Sequence, residues 1–427
     1  MRYETGQIVE IAADLVLENK LNESKQYDWV DVVGIPSRPD KVENNLYFAT
    51  YSDGSNGWDN GFDRRVKVKQ VQQDQKWGVV VEPGATLNGE HLMVSNLENL
   101  TQKLYEELRL KTNPYVIGVT GSVGKTTTVA FLEKILSEAN VEVKRFYSKR
   151  LTPLGVKCHY LNLIEKETPV VVMEYSAYYA DQVGKLAKLL PPNLAFLINI
   201  YDTHINPDSF KNKEEVYRSK IMIKKEKTFG LVNERILDEL KVERPIGWNC
   251  FEIEVPEVNN LWLPPTWRTA EMYSVGKRTA EILGLDHHRF NESFRNFGGA
   301  ENRIVKTRWR NKELFFHGET SGGARLWSWF ETWDKSVPWL FVEQIDFADE
   351  DPGGFKNLLE QIMDSDKTVV LDTPENREKL PVKANFVQKS EFVKKLEEAR
   401  GYLVYHKALA SRKTNFEPGS YLEAVWG

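Results

Sequence analysis

The sequence has few cysteines and no long apolar segment, and both absences exclude whole classes of protein. Two cysteines, Cys158 and Cys250, among 427 residues cannot form a disulfide framework, and no Cys/His spacing resembles a zinc site. No apolar run reaches the ~18 residues that a membrane-spanning helix requires. The N-terminal segment MRYETGQIVE lacks the charged and apolar regions of a secretory signal. We therefore expect a cytoplasmic chain without membrane contact.

The charge balance does not favour nucleic acid as a partner. The chain has 57 Lys and Arg against 62 Asp and Glu, a net charge of −5, whereas nucleic-acid binding needs a clustered basic surface. With 41% hydrophobic and 11% aromatic residues, the composition is globular and excludes a disordered chain or a fibre. At roughly 150 residues per domain, the length predicts about three domains.

The first of these domains is predicted over residues 1–113. It mixes short extended segments, LYFAT and WGVVVEP, with a Gly/Asp/Asn-rich loop at 53–61. A helix should close it, because leucines recur there at intervals of three and four residues. These leucines are Leu97, Leu100, Leu104 and Leu108. The segment KTNP then breaks the helical pattern, and a new unit begins.

The remainder of the chain alternates strand-like and helical segments. In residues 114–300 the apolar runs YVIGVT, VVVMEYS and LAFLINI are separated by helical patterns. This alternation predicts an α/β domain with a doubly wound parallel sheet. After residue 303 the pattern restarts with ELFFHG, PWLFVEQ, TVVLD and GYLVYH. It predicts a smaller, Rossmann-like C-terminal domain over residues 301–427.

The segment GVTGSVGKTTT (118–128), here called the phosphate loop, is the most informative stretch. A glycine-rich turn between a buried strand and a helix lets backbone N–H groups wrap a phosphate. Lys125 adds a positive charge, and the Thr126 hydroxyl can reach Mg²⁺. The general pattern G-x4-G-K-[ST] would place a glycine at Val119, but the glycine stands one residue earlier, at Gly118. A turn that binds nothing is the competing interpretation; the strand before, the helix after and GKT inside favour a nucleotide site.

The variant G-x-T-G-S-x-G-K-T-T-T resembles the central-domain signature of the Mur ligase family. These are ATP-dependent enzymes that join an amino acid or peptide to a carboxylate. The resemblance implies ATP and Mg²⁺ as cofactors and a three-domain α/β fold with a phosphate-loop ATPase domain in the centre. Arg303, in AENRIVK, resembles the arginine that opens the family's C-terminal domain. The nucleotide-binding residues that the resemblance implies are Gly121, Ser122, Gly124, Lys125, Thr126, Thr127 and Arg303.

Downstream residues extend the resemblance to the metal site. Glu174 ends the strand VVVME at the carboxyl edge of the sheet, where ligands bind, and looks like the family's magnesium-binding glutamate. NIYDTH is similar to the family segment N-I-x-x-x-H, in which the histidine, here His204, helps to hold a second metal. Lys220, in EEVYRSK, matches a lysine that is often carbamylated. Each could instead be an ordinary surface residue. The resemblance implies metal ligands Thr126, Glu174, His204 and Lys220, and catalytic residues Lys125, His204 and Lys220.

The segments before the phosphate loop and near the end of the chain suggest substrate-binding residues. GIPSRPDKVENNLYFAT and SDGSNGWDNGF are similar to the MurE/MurF-type N-terminal domain, which cradles a UDP-sugar. Ser37 and Arg38 match its D-S-R turn, although Pro36 replaces the aspartate. GYLVYHKALASRKTNFE resembles the segment that closes the MurF-type branch, from which Lys407 is carried over. The implied substrate-binding residues are therefore Ser37, Arg38 and Lys407.

Two departures bear on the substrate. Met272 stands where the family usually has an asparagine near the adenine, and HGETSGGARLW (317–327) replaces D-x-Y-x-H/N-x-P. The residues expected to bind phosphate and metal are present, whereas the contacts to the nucleotide base and the acceptor are altered. This combination suggests a MurF-like, ADP-forming amide ligase that acts on a non-murein carboxylate, in cofactor or natural-product biosynthesis. Its partners would be a small-molecule carboxylate and an amine, either an amino acid or a peptide, and we expect a monomer. Three alternatives stay open: the UDP-N-acetylmuramoyl-tripeptide–D-alanyl-D-alanine ligase itself, another phosphate-loop kinase or NTPase, and a non-catalytic relative.

Overall fold

The structure is a computed structural model of the chain. It describes residues 3–27, 29–31, 44–52, 58, 61–75, 77–146, 151–201, 205, 209–300, 304–317, 339–345, 360, 366–380, 383–399, 403–407 and 418–426. Among these residues, the strands form three larger sheets, which lie within residues 16–94, 115–251 and 304–407. The α/β class expected from the sequence is confirmed. The division into domains at residues 113 and 300 stays a prediction.

The first unit is a mixed sheet closed by a long helix. Its elements are β1 (Tyr3–Glu4), α1 (Thr5–Ile11), β2 (Val16–Asn19), β3 (Gln26–Tyr27), β4 (Trp29–Asp31), β5 (Asn45–Phe48), β6 (Tyr51–Ser52), β7 (Phe62–Asp63), a 3₁₀ turn (Arg65–Lys67), α2 (Val68–Gln70), a π-helical turn (Val71–Gln75), β8 (Gly78–Val81), β9 (His91–Val94) and α3 (Leu97–Lys111). The described sheet runs β2-β9-β8-β5-β4, and only the β2–β9 pair is antiparallel. All four leucines that predicted α3 are buried.

The second unit is a parallel α/β sheet. Its elements are β10 (Tyr115–Thr120), α4 (Lys125–Glu138), β11 (Val143–Phe146), α5 (Pro153–Leu163), β12 (Val170–Glu174), α6 (Gln182–Leu189), β13 (Leu194–Leu197), α7 (Lys213–Ile221), β14 (Phe229–Asn233), α8 (Glu234–Leu240), β15 (Trp248–Phe251), α9 (Trp267–Leu283) and α10 (His287–Arg295). The described strands run β11-β12-β10-β13-β14-β15, all parallel. After β12 the chain crosses β10 to form β13, and ligands bind at such a switch point.

Both faces of this parallel sheet are buried, as the continuous apolar strands predict. Side chains of successive strand residues point to opposite faces. In β12, Val170 and Val172 lie in the cluster beside α4, α9 and α10, whereas Val171 and Met173 lie in the opposite cluster with α5 and α6. The sheet is therefore doubly wound, as expected, and its loops at the carboxyl edge are held from both sides.

The third unit has a parallel sheet with an antiparallel edge strand. Its elements are β16 (Ile304–Trp309), β17 (Lys312–His317), β18 (Trp339–Gln344), β19 (Thr368–Leu371), α11 (Pro374–Lys379), β20 (Phe386–Val387), α12 (Lys389–Glu398), β21 (Leu403–Lys407) and α13 (Pro418–Trp426). The described strands run β16-β17-β21-β18-β19-β20. The β16–β17 hairpin, which the sequence did not predict, turns at Arg310 and Asn311, with φ of 43° and 65°.

A side chain of the second unit completes the edge of the first sheet. The Asn162 amide on α5 accepts a hydrogen bond from the Val30 backbone N–H over 2.7 Å and donates one to the Val30 carbonyl over 2.9 Å. This pairing copies the pattern that a neighbouring strand would make with β4. The same side chain therefore ties the first unit to the second.

None of the helices in the described ranges combines the length and apolar character that a bilayer crossing demands.

Candidate functional site

The phosphate loop joins β10 to α4 at the switch point of the parallel sheet. Gly124 is the N-cap of α4 and adopts φ 83°, a left-handed conformation that favours glycine. At Gly121, a Cβ atom would lie 2.5 Å from Cγ1 of Ile198 on the next strand's loop, so only glycine allows this close approach. The turn therefore directs the positive end of α4 towards the carboxyl edge, where backbone N–H groups of a first helical turn can bind an anion.

The altered glycine spacing has a packing explanation. Strand β10 continues to Thr120, so Val119 is a buried strand residue and not the first loop residue. Gly118 lies under an aromatic ring, because a Cβ atom there would meet Cε2 of Tyr175 at 2.7 Å. The glycine at 118 thus makes room for Tyr175, while Gly121 and Gly124 shape the loop itself.

Lys125 lies over the loop that precedes it. Its Nζ donates hydrogen bonds to the carbonyl of Gly121 at 2.8 Å and to that of Ser122 at 3.1 Å. The side chain is half-buried, and the ammonium sits beside the helix end at which a phosphate would bind. The phosphate-binding role of Lys125 stays a prediction.

Thr126 and Glu174 meet at the carboxyl edge of the sheet. The Thr126 hydroxyl donates to Oε2 of Glu174 over 2.8 Å, and the glutamate is only 4% exposed. Strand pairing sets this meeting, because Glu174 lies opposite Val119 and the Thr120 hydroxyl donates to the Tyr175 carbonyl at 2.7 Å. A hydroxyl and a carboxylate are hard oxygen ligands of the kind Mg²⁺ prefers. Within the described ranges, no three His, Cys, Asp or Glu side chains cluster as a metal site.

Lys220, on α7, is a buried amine beside a second cation. It is 2% exposed and, within the described part of the chain, its ammonium has no hydrogen bond or ion pair. Burial, and then the charge of Lys125, hold the pKa of the Lys220 amine well below its usual 10.5. The structure thus brings Lys220 close to Lys125. This environment therefore favours the uncharged amine over the ammonium form.

The side chain of Asn199, which follows β13, forms hydrogen bonds with the backbone of the phosphate loop. Its Oδ1 accepts hydrogen bonds from the backbone N–H groups of Ser122 and Val123, each at 3.0 Å. Its Nδ2 donates to the Val123 carbonyl at 3.0 Å and to Oε2 of Glu271 at 2.9 Å. The sequence placed Asn199 in the N-I-x-x-x-H segment but did not predict this contact with the loop.

Glu271, on α9, is a buried carboxylate that the sequence motifs did not predict. It is 3% exposed and pairs with Arg268, whose Nη2 also donates to the Tyr201 hydroxyl at 2.6 Å. Burial raises the pKa of Glu271 to about 7 against the opposing effects of Arg268, Asn199 and Arg235. The sequence shows Arg268 and Glu271 only as a charged pair three residues apart, a spacing that the exposed pair Arg278 and Glu281 on the same helix shares. Its neighbour Met272 is packed in the core between α4, α9 and the sheet.

Several predicted site residues cannot be placed relative to the loop. Ser37, Arg38, His204 and Arg303 lie outside the described residues, so their roles stay predictions. Lys407 ends β21, where its backbone pairs with Gln344. Thr127 is half-buried in the first turn of α4. The predicted residues that the structure brings together are Gly121, Ser122, Gly124, Lys125, Thr126, Glu174 and Lys220.

A glycine-shaped loop, a lysine and a hydroxyl–carboxylate pair at the switch point of a parallel sheet define a phosphate-loop α/β protein. Residues 119–237 match the family model described as the Mur ligase middle domain. This middle segment of the chain is therefore a Mur ligase middle domain, as the loop signature indicated.

The chain is similar to known proteins over different lengths, in sequence and in structure. The UDP-N-acetylmuramoyl-tripeptide–D-alanyl-D-alanine ligase of Haemophilus influenzae is 28% identical over 186 residues, which are 42% of this chain but only 39% of that enzyme. MurF from Acinetobacter baumannii has a TM-score of 0.71 at 15% identity, covering 100% of this chain and 99% of that one. The MurF ligase from Thermotoga maritima in complex with ADP has a TM-score of 0.67 at 17% identity, covering 93% and 96%. At these identities the structural likeness shows a shared fold.

Proposed function

We propose that the protein is an ATP-dependent carboxylate–amine ligase that forms an amide and releases ADP and phosphate. The observation that carries the proposal is the contact between Thr126 and Glu174, 2.8 Å apart, beside a loop over which Lys125 lies. This arrangement suits a nucleotide triphosphate with its Mg²⁺, whose charge would draw electron density from the phosphoryl oxygens. Thr126 and Glu174 would hold that ion.

The reaction would proceed in two displacements. A carboxylate oxygen of the acceptor bonds to the γ-phosphorus while the bond to the bridging oxygen breaks, and ADP leaves with that electron pair. The amine then attacks the acyl carbon, the bond to phosphate breaks, and the nitrogen loses a proton. Lys125 and the N–H groups at the start of α4 stabilise the charge on the transferring group. The acyl phosphate must be protected from water.

Lys220 would act as a carbamate. Only an uncharged amine reacts with CO₂, losing a proton as the carbamate forms, and the lowered pKa of Lys220 favours this amine. The product is an anion, so the charge repulsion between the Lys220 and Lys125 ammonium groups would be replaced by attraction. The carbamate would also supply oxygen ligands for a metal. His204 would share that second metal, and Arg303 would contact the nucleotide. These two roles rest on the family resemblance.

We propose a small-molecule carboxylate other than the murein precursor, with Ser37, Arg38 and Lys407 in its binding surface. Met272, which replaces the family's asparagine, is packed in the core, which supports a changed environment for the base. The second candidate is the D-alanyl-D-alanine-adding reaction itself, which the relative from Haemophilus influenzae and the fold of MurF favour.

Phosphate release from ATP tests both candidates. It should be measured across a panel of carboxylates and amines that includes UDP-N-acetylmuramoyl-tripeptide and D-alanyl-D-alanine, with mass spectrometry of the products. We expect release to require both a carboxylate and an amine and to yield an amide. Release without an amine would instead indicate a kinase or an NTPase. Failure to bind ATP with Mg²⁺ would indicate a non-catalytic relative.

A further inference from the structure

A closed ring of hydrogen bonds lies beneath the phosphate loop. It begins at Asn199, which contacts both Ser122 and Glu271. Glu271 pairs with Arg268, and Arg268 donates to the hydroxyl of Tyr201. The backbone N–H of Tyr201 donates to Oγ of Ser122 over 2.9 Å, and this returns the ring to the loop. The ring therefore joins the loop, the end of β13 and helix α9.

Asn199 uses its whole hydrogen-bonding capacity in this ring. Its Oδ1 accepts two backbone N–H groups, and each N–H of its Nδ2 has an acceptor, Val123 O and Glu271 Oε2. Such a saturated amide has one orientation only, since a flipped one would place donors against donors. Ser122 and Val123 are thereby held at fixed positions relative to α9.

Glu271 is the residue on which the ring depends, and Arg268, its partner, is itself fixed against Tyr201. Its Oε2 accepts hydrogen bonds from both Asn199 and Arg268, so a single atom links the two halves. The guanidinium of Arg268 is also stacked over the ring of Tyr201, 5.0 Å from its centroid. Asn199 and Glu271 are buried, and the loss of a hydrogen-bond partner costs more free energy at a buried polar group than at an exposed one.

We propose that Glu271 is a positioning residue, which acts through Asn199 to hold the phosphate loop in its nucleotide-binding shape before a nucleotide arrives. This inference rests on the proposed nucleotide site. Because Asn199 occupies the N–H groups of Ser122 and Val123, phosphate recognition falls to the backbone that follows, from Gly124 into the first turn of α4. Because the loop is already ordered, nucleotide binding loses no free energy to ordering it.

The test compares Glu271→Leu with Glu281→Leu, a matched control on the same helix. Glu281 also accepts a hydrogen bond from an arginine three residues earlier, Arg278, at 2.7 Å, but that pair is exposed. Amide hydrogen exchange at Val123 is measured without nucleotide, with Val232 in the neighbouring strand β14 as an internal reference. We expect exchange at Val123 to rise at least tenfold in Glu271→Leu and to stay unchanged in Glu281→Leu.

Two further variants keep the test decisive if Glu271→Leu does not fold. Glu271→Gln retains an oxygen for Asn199 and Arg268, so exchange at Val123 should lie nearer to the wild-type rate. Tyr201→Phe removes only the hydroxyl that Arg268 contacts and should raise exchange at Val123 about two- to fivefold. Exchange at Val123 that stays at the wild-type rate in Tyr201→Phe, or rises only in step with Val232, would overturn the inference.

The affinity for ADP with Mg²⁺ separates positioning from a purely structural role. We expect the dissociation constant to rise at least tenfold in Glu271→Leu, and KM for ATP to change more than kcat. An unchanged dissociation constant together with faster exchange at Val123 would also overturn the inference. A wild-type protein that binds no nucleotide refutes the proposed function, whereas the exchange measurement still decides whether the ring holds the loop.

Discussion

The hydroxyl of Thr126 and the carboxylate of Glu174 are joined by a hydrogen bond of 2.8 Å between the first turn of α4 and the end of β12. The two residues are 48 positions apart, and only the parallel pairing of β10 with β12 brings them together. Their oxygens face the same edge of the sheet as the Lys125 ammonium. Under the proposed function, a divalent cation held by this pair would lie at the same edge of the sheet as the phosphates.

Replacing Thr126 by valine should raise the Mg²⁺ requirement of ATP turnover. Valine has a similar shape but no oxygen, so the ion would lose one ligand. We expect the Mg²⁺ concentration for half-maximal activity to rise about 10- to 100-fold, the range typical of lost metal-site contacts. Thr126→Ser retains the hydroxyl and should stay within a few-fold of wild type. An unchanged Mg²⁺ titration in Thr126→Val would exclude Thr126 as a ligand.

Lys125→Ala should abolish most ATP-dependent amide formation. The change removes the positive charge beside the transferring phosphoryl group, and we expect kcat to fall about 10²- to 10³-fold. Lys134→Ala is the control, because Lys134 lies on the same helix and pairs with Glu138. The measurement is steady-state phosphate release with a productive carboxylate and amine. Near-normal turnover of Lys125→Ala would contradict the proposed role.

Activity should depend on CO₂ through Lys220. We expect the wild-type protein to lose activity in CO₂-depleted buffer and to recover it on addition of bicarbonate, because the uncharged amine can be carbamylated again. Lys220→Ala should have low activity at every bicarbonate concentration. Lys213→Ala, on the same helix but partly exposed and paired with Glu239 at 3.7 Å, should behave like wild type. Activity that never responds to CO₂ would remove the carbamate from the mechanism.

Glu271 should make the folded state less stable as pH rises. The pKa of this carboxyl is raised from 4.5 to about 7 in the folded protein, so between these values the folded state holds a proton that the unfolded state releases. Its stabilising contribution is complete below pH 4.5 and is lost by about pH 7, a change on the order of 3 kcal/mol. Urea denaturation of wild type and Glu271→Gln from pH 5 to 8 measures it. Parallel pH profiles for the two proteins would contradict the raised pKa.

Asn162→Ala should destabilise the protein by about 1–3 kcal/mol, because it leaves the buried N–H and carbonyl of Val30 without this partner. The control is Gln102→Ala on α3, whose amide makes an exposed hydrogen bond to Glu106 and should cost little. The free energy of unfolding by urea is the measurement. Equal stability of the two variants would show that the pairing contributes nothing.

Local sequence patterns predicted the elements that carry the site. The apolar runs before Gly121 and ending at Glu174 are long, continuous and β-branched, which is how buried parallel strands appear in a sequence. Once both are strands of one parallel sheet, their carboxyl ends must share an edge. The meeting of Thr126 with Glu174 therefore followed from topology together with the loop motif.

The support beneath the loop could not be predicted in the same way. Asn199 and Glu271 are separated by 72 positions, and no periodicity links a polar residue after a strand to a glutamate on a distant helix. The pair Arg268 and Glu271 is visible as a spacing of three, but on most helices such a pair is exposed. Strand β16 was missed because its turn, Arg310–Asn311, lacks the glycine that usually signals a hairpin.

The pairing of Asn162 with Val30 also bears on how the chain is made. An uncovered strand edge is a template for another chain, and protein domains emerge from the ribosome N-terminal end first. Strand β4 is synthesised about 130 residues before the amide that covers its edge, a separation of 132 positions in sequence. Asn162→Ala in the whole chain would leave this edge without its partner, and the tendency of that variant to aggregate, compared with that of the wild type, would measure the protection that one asparagine provides.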